Sequence, residues 1–224
     1  MTTLVLIRHA TTAATGKRLG GRTPAELDDA GRAQADALAE RLADVPFKAV
    51  YASPLPRAMQ TAAALAASRR IDVQPCEGLL ELEFGDWTDR PLKSLARTKL
   101  WPAIQGVPST VGFPDGETFR QAQLRAVDAV EELVDRHPRD AVAAVSHADV
   151  IKMVVAYYLG MPLDVFQRLH VAPASATVLA LRRGAPAALL RFNDDGPLSA
   201  DRFARPVPSG AAARARPRRG AARG

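Results

Sequence analysis

The sequence predicts an α/β fold of three layers, in which a mainly parallel central sheet lies between two layers of helices. Short apolar runs rich in β-branched residues recur along the chain, and such runs are typical of strands that are buried on both faces. The segments between them are long enough for helices and place apolar residues at helical spacing, which is the alternation expected of a parallel sheet. The predicted strands lie at 4–7, 47–52, 71–74, 141–146, 176–181 and 187–192.

Four of the intervening segments predict helices, and their ends carry capping and stop signals. Asp28 and Asp29 are candidate N-caps of the first helix, and Pro54 precedes the alanine-rich second helix. The third helix is expected to end before Pro138, and the fourth to close at Gly160. The predicted helices lie at 30–43, 55–70, 118–136 and 149–159.

Segment 84–117 interrupts this alternation. It holds both tryptophans, four prolines and glycine-containing turns, with a helical pattern only around 92–100. We expect it to be an insertion that covers the ligand site.

Length and composition predict one domain followed by a basic tail. A chain of 224 residues with 47% hydrophobic content can bury one good core, which we place in residues 1–200. The net charge of +6 comes from residues 201–224, which hold seven arginines and one aspartate. Arg, Ala, Pro and Gly dominate this tail, so we expect it to be disordered. Contact with nucleic acid is one function for such a tail, and an extension without a function is the simpler interpretation.

Two features indicate where the protein works. No apolar stretch approaches the length that a membrane span needs, so no membrane contact is expected. The single cysteine, Cys76, cannot form an internal disulfide, which fits a reducing compartment. We therefore expect a cytoplasmic protein.

Three of the predicted strands are followed by side chains that suit a phosphate group. Arg8 and His9 follow the first strand, Arg57 follows the second, and His147 follows the fourth. Because ligands bind beyond the carboxyl ends of parallel strands, we expect these four side chains to converge. A neutral imidazole at His9 can attack phosphorus and form a phosphohistidine. The two arginines match phosphate oxygens bidentately, and His147 can donate to an equatorial oxygen, preferably as an imidazolium.

Four short motifs surround these residues: Arg8-His9-Ala10-Thr11, Ser53-Pro54-Leu55-Pro56-Arg57-Ala58-Met59-Gln60-Thr61-Ala62, Gly116-Glu117-Thr118 and Ser146-His147. Together they resemble the histidine phosphatase superfamily, in its phosphoglycerate mutase-like and alpha-ribazole-phosphatase-like branch. The resemblance covers roughly residues 3 to 194 and implies a phosphoglycerate mutase-like fold.

The resemblance also implies a general acid in segment 79–87. The family motif places a glutamate four residues before a glycine and six before an aromatic residue, and this register selects Glu81. Its carboxyl needs a raised pKa if it is to be protonated near neutrality. Glu83, two residues further on, is the alternative and is predicted to share a strand face with Glu81.

Two positions depart from the family pattern. Thr15 stands where many members have an asparagine that holds phosphate, so a hydroxyl would replace the amide there. Arg22 lies in a segment that replaces the more usual Gly-x-x-Asp, and it faces either the substrate or solvent. His170 is expected to be structural.

These observations predict a phosphomonoester hydrolase that acts on a small phosphorylated metabolite without a metal or cofactor. A phosphoglycerate mutase-type phosphotransferase is the alternative, although the short segment between Glu81 and His147 favours water as the acceptor. A non-catalytic module that binds a phosphorylated ligand is disfavoured, because the full set of site residues is present. The sequence has no Cys-x5-Arg, Gly-x4-Gly-Lys-Ser/Thr or Gly-x-Ser-x-Gly motif. The family suggests a homodimer.

Overall fold

A computed structural model describes residues 1–67 and 69–196, so the predicted tail at 201–224 lies outside the described residues. The described chain forms a six-stranded central sheet and a separate pair of two-residue strands. The strands are β1 (Thr2–Arg8), β2 (Arg18–Leu19), β3 (Phe47–Ala52), β4 (Val73–Pro75), β5 (Arg90–Pro91), β6 (Ala141–Ser146), β7 (Ala176–Leu181) and β8 (Ala188–Asp194). The sheet order is β4-β3-β6-β1-β7-β8, and the first four strands in this order are parallel. Strands β7 and β8 complete the sheet with antiparallel pairing. The predicted mainly parallel α/β fold is confirmed.

Helices occupy most of the segments between these strands. They are α1 (Asp29–Arg41), α2 (Pro56–Ala67), α3 (Leu92–Leu95), α4 (Trp101–Gly106), α5 (Phe119–Arg136) and α6 (Ala148–Tyr158). The side chain of Asp28 caps α1 by accepting a hydrogen bond from the amide of Gly31, as its position predicts. Thr118 and Gln121 form a reciprocal capping box at the start of α5. No helix in residues 1–67 and 69–196 is long and apolar enough to cross a membrane.

The central strand β1 shows why polar and apolar residues do not alternate along the predicted strands. Side chains of a strand point alternately to its two faces. Leu4 and Leu6 pack in the core cluster that includes α5 and α6, whereas Val5 and Ile7 pack in the cluster that includes α1 and α2. Each of these buried side chains stabilises the fold by about 1.5–3 kcal/mol. A strand between two helical layers therefore needs apolar residues at successive positions.

The insertion at 84–117 contains the two short helices α3 and α4 and the strand β5. The helix predicted around 92–100 is present only at its start, as α3, and α4 lies beyond the predicted range. Pro102 lies in the first turn of α4, where proline is tolerated. Trp87 stacks on Trp101 with ring centroids 6.2 Å apart, and Phe113 packs edge-on against Trp87. Pairing of β5 with β2 ties the insertion to the loop after β1.

Candidate active site

A cavity of about 290 Å³ opens at the carboxyl ends of β1 and β6. Its lining comes from the ends of these strands, the loop at 12–25, the first turns of α6 and the insertion. Arg8, His9, Thr15, Arg57 and Glu81 all lie in this lining, so the structure brings together five of the residues singled out in the sequence. His147 is fully buried beside them.

His9 directly follows β1, and its ring is held in one tautomer. Nδ1 donates to the backbone oxygen of Ala10 (2.7 Å), and Nε2 accepts from Nε of Arg57 (3.2 Å). These partners assign the proton to Nδ1, because a carbonyl only accepts and a guanidinium only donates. Burial lowers the pKa of His9 well below its ordinary value, and the charges of Arg57 and Arg8 lower it further. His9 is therefore neutral near pH 7, with a lone pair on Nε2.

His147 lies next to His9 and is also held by side-chain contacts. Its Nε2 lies 2.8 Å from the hydroxyl of Ser53, and its Nδ1 lies 3.3 Å from Nη2 of Arg57. Burial lowers the pKa of His147 well below its ordinary value, and the neighbouring His9 and Arg57 add to this effect. The ring is therefore neutral in the ligand-free site, and the imidazolium expected with phosphate bound stays a prediction. Ser53 belongs to a motif quoted above, but its contact with His147 could not be read from that motif.

The two arginines present donors to the cavity from different elements. Arg57 lies in the first turn of α2, within the helix predicted at 55–70 and four residues beyond the Ser53 that follows β3. Its Nη1 and Nη2 donate to the carbonyls of Thr23 and Gly21 at 2.9 and 2.7 Å, which fixes the plane of the guanidinium. Arg8 donates through Nη1 to Val171 (2.7 Å), and its buried Nε has no hydrogen-bond partner within the described residues. A buried donor of this kind is costly unless it is paired.

Glu81 carries a carboxyl that can hold a proton near neutrality. Burial raises its pKa to about 7, and the charge of Asp149 adds to this effect against the opposing charge of Arg57. The amide of Leu82 donates to Oε1 (3.0 Å), and Oε2 lies 3.9 Å from Nδ1 of His147. Residues 80–84 form no strand, so the predicted shared strand face with Glu83 is wrong.

Two arginines and one glutamate hold the segment that bears Glu81. We call this group of three side chains the Glu117 clamp: Arg22, Glu117 and Arg125. Arg125 donates to the carbonyls of Gly78 and Leu80 and forms two bonds of 3.0 Å with the carboxylate of Glu117. Arg22 donates to the carbonyl of Glu81 (3.1 Å) and lies 3.2 Å from Glu117.

The clamp decides between two expectations from the sequence. Arg22 is not in the cavity lining, so the expectation that it faces the substrate is corrected: its charge is used by Glu117 and by Glu83 (3.4 Å). Glu83 is likewise outside the lining and 38% exposed, which separates it from Glu81.

Thr15 and His170 also depart from the simplest expectation. Thr15 lines the cavity, and its hydroxyl accepts from the amide of Thr12 (2.9 Å), so part of its hydrogen-bonding capacity is used within the loop. His170 was expected to be structural, yet it is exposed and lies in the cavity lining. Within residues 1–67 and 69–196, no three His, Cys, Asp or Glu side chains gather in the manner of a metal site.

The fold and the side chains gathered at the cavity define a class of proteins that act on phosphate groups. Comparisons with known proteins agree with this class. The sequence signature of the histidine phosphatase superfamily, branch 1, matches residues 4–195, and the chain belongs to that superfamily. It is 27% identical to phosphoserine phosphatase 1 of Hydrogenobacter thermophilus over 183 residues, and the matched segment covers 80% of this chain and 86% of that protein. It is 29% identical over 178 residues to adenosylcobalamin/alpha-ribazole phosphatase of Escherichia coli, covering 75% and 84% of the two chains. Among solved structures, Bacillus stearothermophilus YhfR superposes with a TM-score of 0.82 at 29% identity, over 87% of this chain and 98% of that one.

Proposed function

We propose that this chain hydrolyses small phosphomonoesters through a phosphohistidine formed on His9. The observation that carries the proposal is the tautomer of His9, whose neutral ring has its lone pair on Nε2. That nitrogen lies in a cavity with two guanidinium groups and a carboxyl whose pKa is about 7. The phosphatases among the relatives support the same reaction.

In the first step, Nε2 of His9 attacks phosphorus and the bond from phosphorus to the ester oxygen breaks. Glu81, protonated at the start, gives its proton to the leaving oxygen, so that the alcohol departs neutral. The products are a phosphohistidine, the alcohol and an ionised Glu81. The bond from Nδ1–H to Ala10 is retained and stabilises the positive charge on the phosphorylated ring.

In the second step, water attacks the same phosphorus and the P–N bond breaks. The Glu81 carboxylate takes one proton from the water, which returns the acid to its starting form and releases inorganic phosphate. His9 is again a neutral imidazole. One carboxyl thus serves as acid and then as base, and a pKa near 7 suits both roles.

Arg8 and Arg57 stabilise the transferring group, since phosphoryl transfer depends mainly on positioning and on charge stabilisation. Both guanidinium-bearing residues line the cavity, so their charges act on a phosphate bound there. A bound phosphate dianion would oppose the causes that lower the pKa of His147, so we expect that ring to gain a proton when substrate binds. Thr15, in the wall, is a further candidate donor.

The cavity of about 290 Å³ is at the small end of ligand sites, which supports a small metabolite as substrate. We place the enzyme in the cytoplasm on the basis of its single free cysteine, Cys76. Cell fractionation would test the localisation, and gel filtration of the purified protein would test the expected homodimer, both separately from catalysis.

Steady-state hydrolysis of p-nitrophenyl phosphate tests the proposal. His9→Ala should lose turnover by at least about a thousandfold, because it removes the nucleophile. His137→Ala is the matched control: this histidine contacts Tyr51 and Asp140 at the far end of α5, so turnover per folded molecule should be unchanged. Undiminished turnover in His9→Ala would refute the proposed role of His9.

The phosphoglycerate mutase alternative has to be tested with a substrate other than p-nitrophenyl phosphate. With 3-phosphoglycerate and bisphosphoglycerate present, we expect inorganic phosphate as the main product. Isomerisation that outpaces phosphate release would assign the chain to the phosphotransferases, through the same phosphohistidine.

A further inference from the structure

Ser53 is a buried serine beside the cavity that the proposed reaction does not use. It follows β3 directly, and both Ser53 and His147 are 0% exposed. The hydroxyl oxygen of Ser53 lies 2.8 Å from Nε2 of His147. Its backbone amide donates to the carbonyl of Val145 (2.9 Å), which fixes the end of β3 against the end of the neighbouring strand β6. The serine and the histidine therefore face each other from two adjacent strand ends.

The partners of the His147 ring assign its proton. Nδ1 lies 3.3 Å from Nη2 of Arg57, and a guanidinium only donates, so Nδ1 is the acceptor of this contact. The proton of the neutral ring is therefore on Nε2, and the hydroxyl oxygen of Ser53 accepts its hydrogen bond. His147 thus has the opposite tautomer to His9, whose proton is on Nδ1.

This tautomer directs the lone pair of His147 towards the cavity. Nδ1 is on the side of Arg57 and of Glu81, whose Oε2 lies 3.9 Å away, and both of these residues line the cavity, whereas Ser53 does not. A proton gained with bound phosphate is therefore added at Nδ1. The hydroxyl of Ser53 accepts from Nε2 in the neutral ring and in the imidazolium alike, so the change of charge needs no rearrangement at Nε2.

The charges around His147 make an acceptor at Nε2 important. The charged or titratable side chains that act on this ring are His9, Glu81, Arg8, Arg57 and Arg125. Burial and the three arginines disfavour an imidazolium, which only an anion nearby can offset. A hydrogen bond from a charged ring is stronger than the same bond from a neutral ring, so the serine hydroxyl favours the imidazolium.

We propose that Ser53 is a positioning residue for catalysis: it accepts the Nε2 proton of His147, so that the ring presents Nδ1 to the phosphoryl group and holds the proton gained there. This inference rests on the proposed phosphatase activity of the cavity. A serine that only paired a buried ring nitrogen would add to the stability of the fold and would leave turnover per folded molecule unchanged.

Hydrolysis of p-nitrophenyl phosphate by four proteins separates these two roles: the wild type, Ser53→Ala, His147→Ala and the double variant. Ser53→Ala should lower kcat/KM per folded molecule by about tenfold, because the imidazolium loses a charge-assisted hydrogen bond. In the His147→Ala background the same substitution should change kcat/KM by less than about twofold, because Ser53 then has no ring to position.

Thr2→Val is the matched control. Thr2 is also 0% exposed, but its hydroxyl donates to the carbonyl of His137 (2.6 Å) at the end of β1 that lies away from His9. This substitution should lower the stability of the fold and leave kcat/KM per folded molecule unchanged. Urea denaturation of each variant gives its folded fraction.

The ¹⁵N NMR signals of His147 test the tautomer without relying on turnover. Protonated and unprotonated ring nitrogens differ widely in chemical shift, and the signals that disappear in His147→Ala assign this ring. In the wild type at neutral pH we expect a proton on Nε2 alone, and protons on both nitrogens when the site is saturated with inorganic phosphate. With phosphate bound, Ser53→Ala should show less protonation at Nδ1 than the wild type.

The inference is overturned if Ser53→Ala lowers kcat/KM by the same factor in both backgrounds, or leaves it unchanged in the wild-type background. It is also overturned if the free wild-type ring has its proton on Nδ1. Should Ser53→Ala fail to fold, Ser53→Cys takes its place with the same expected outcomes, because a thiol is only a weak acceptor. Failure of the proposed function looks different: p-nitrophenyl phosphate would not be hydrolysed by the wild type, or its hydrolysis would not depend on His9.

Discussion

Replacement of Glu81 by glutamine should abolish efficient catalysis and yet stabilise the folded protein at alkaline pH. The carboxyl is 14% exposed, and its pKa is about 7 in the fold, compared with 4.5 for an unperturbed glutamate. Between these two values the folded state keeps a proton that the unfolded state releases. The free energy of unfolding therefore falls as pH rises through this window, and the loss is complete above about pH 7.

The size of the effect follows from the same two pKa values. One pKa unit corresponds to about 1.4 kcal/mol, so ionisation of Glu81 costs the folded state roughly 3 kcal/mol above neutrality. Glutamine carries no charge, and its amide oxygen can keep the hydrogen bond that Leu82 donates. Glu81→Gln should thus have nearly the wild-type free energy of unfolding near pH 4.5, and exceed it by up to about 3 kcal/mol near pH 8. His9 and His147 are present in both proteins, so their own titration largely cancels in the difference.

Urea denaturation of the wild type and Glu81→Gln across this pH range measures the difference directly. Glu83→Gln is the matched control: its carboxyl is 38% exposed and lies 3.4 Å from Arg22, so its loss should change stability by less than about 1 kcal/mol at any pH. A difference in the free energy of unfolding between Glu81→Gln and the wild type that does not change with pH would contradict the reasoning. So would a variant that is less stable than the wild type at pH 8.

Two further substitutions test how the site is held. Arg57→Lys keeps the charge but loses the planar fork that contacts His9, Thr23 and Gly21, so kcat/KM for p-nitrophenyl phosphate should fall by about a hundredfold or more, and near-wild-type activity would show that this fork is not needed for catalysis. Glu117→Gln weakens the hold of Arg22 and Arg125 on the loop that carries Glu81, so kcat/KM, which reports the steps up to formation of the phosphohistidine, should fall about tenfold for alkyl phosphates and much less for p-nitrophenyl phosphate. Equal losses on both substrates would mean that the Glu117 clamp does not act through Glu81.

Much of the fold follows from local patterns in the sequence. The consecutive apolar residues of β1 predicted a strand buried on both faces, and Asp28 predicted the start of α1. The pair of β2 and β5 could not be predicted, because strands of two residues carry no periodic signal. Within the insertion, α4 was not predicted, because a helix of 6 residues is too short to show a clear helical periodicity.

The residues of the candidate site could be predicted where they lie at the end of a strand. They could not be predicted where their position depends on tertiary contacts. Arg8 and His9 follow directly from the end of β1. Arg22 was misjudged because its partners, Glu83 and Glu117, lie far along the chain and use its charge away from the cavity. The hydrogen bond of Ser53 to His147 left no signal in the spacing of either motif.

The ion pair between Asp149 and Lys152 was missed for a related reason. His147 occupies the cap position of α6, and Asp149 lies in the first turn of this helix. An acidic and a basic residue three positions apart on a helix are common, and only the cavity distinguishes this pair from a surface one.

The covalent state of His9 during turnover tests the central claim most directly. Glu81→Gln should still form the phosphoenzyme from p-nitrophenyl phosphate, whose phenolate needs little protonation, but it lacks the base that activates water. Rapid acid-free quench with ³²P-labelled substrate should therefore trap about one phosphate per active site on His9, in a bond that is labile to acid and stable to alkali. The double variant with His9→Ala should trap none. Continued turnover by Glu81→Gln without such a label, or a label that persists when His9 is removed, would contradict the phosphohistidine mechanism.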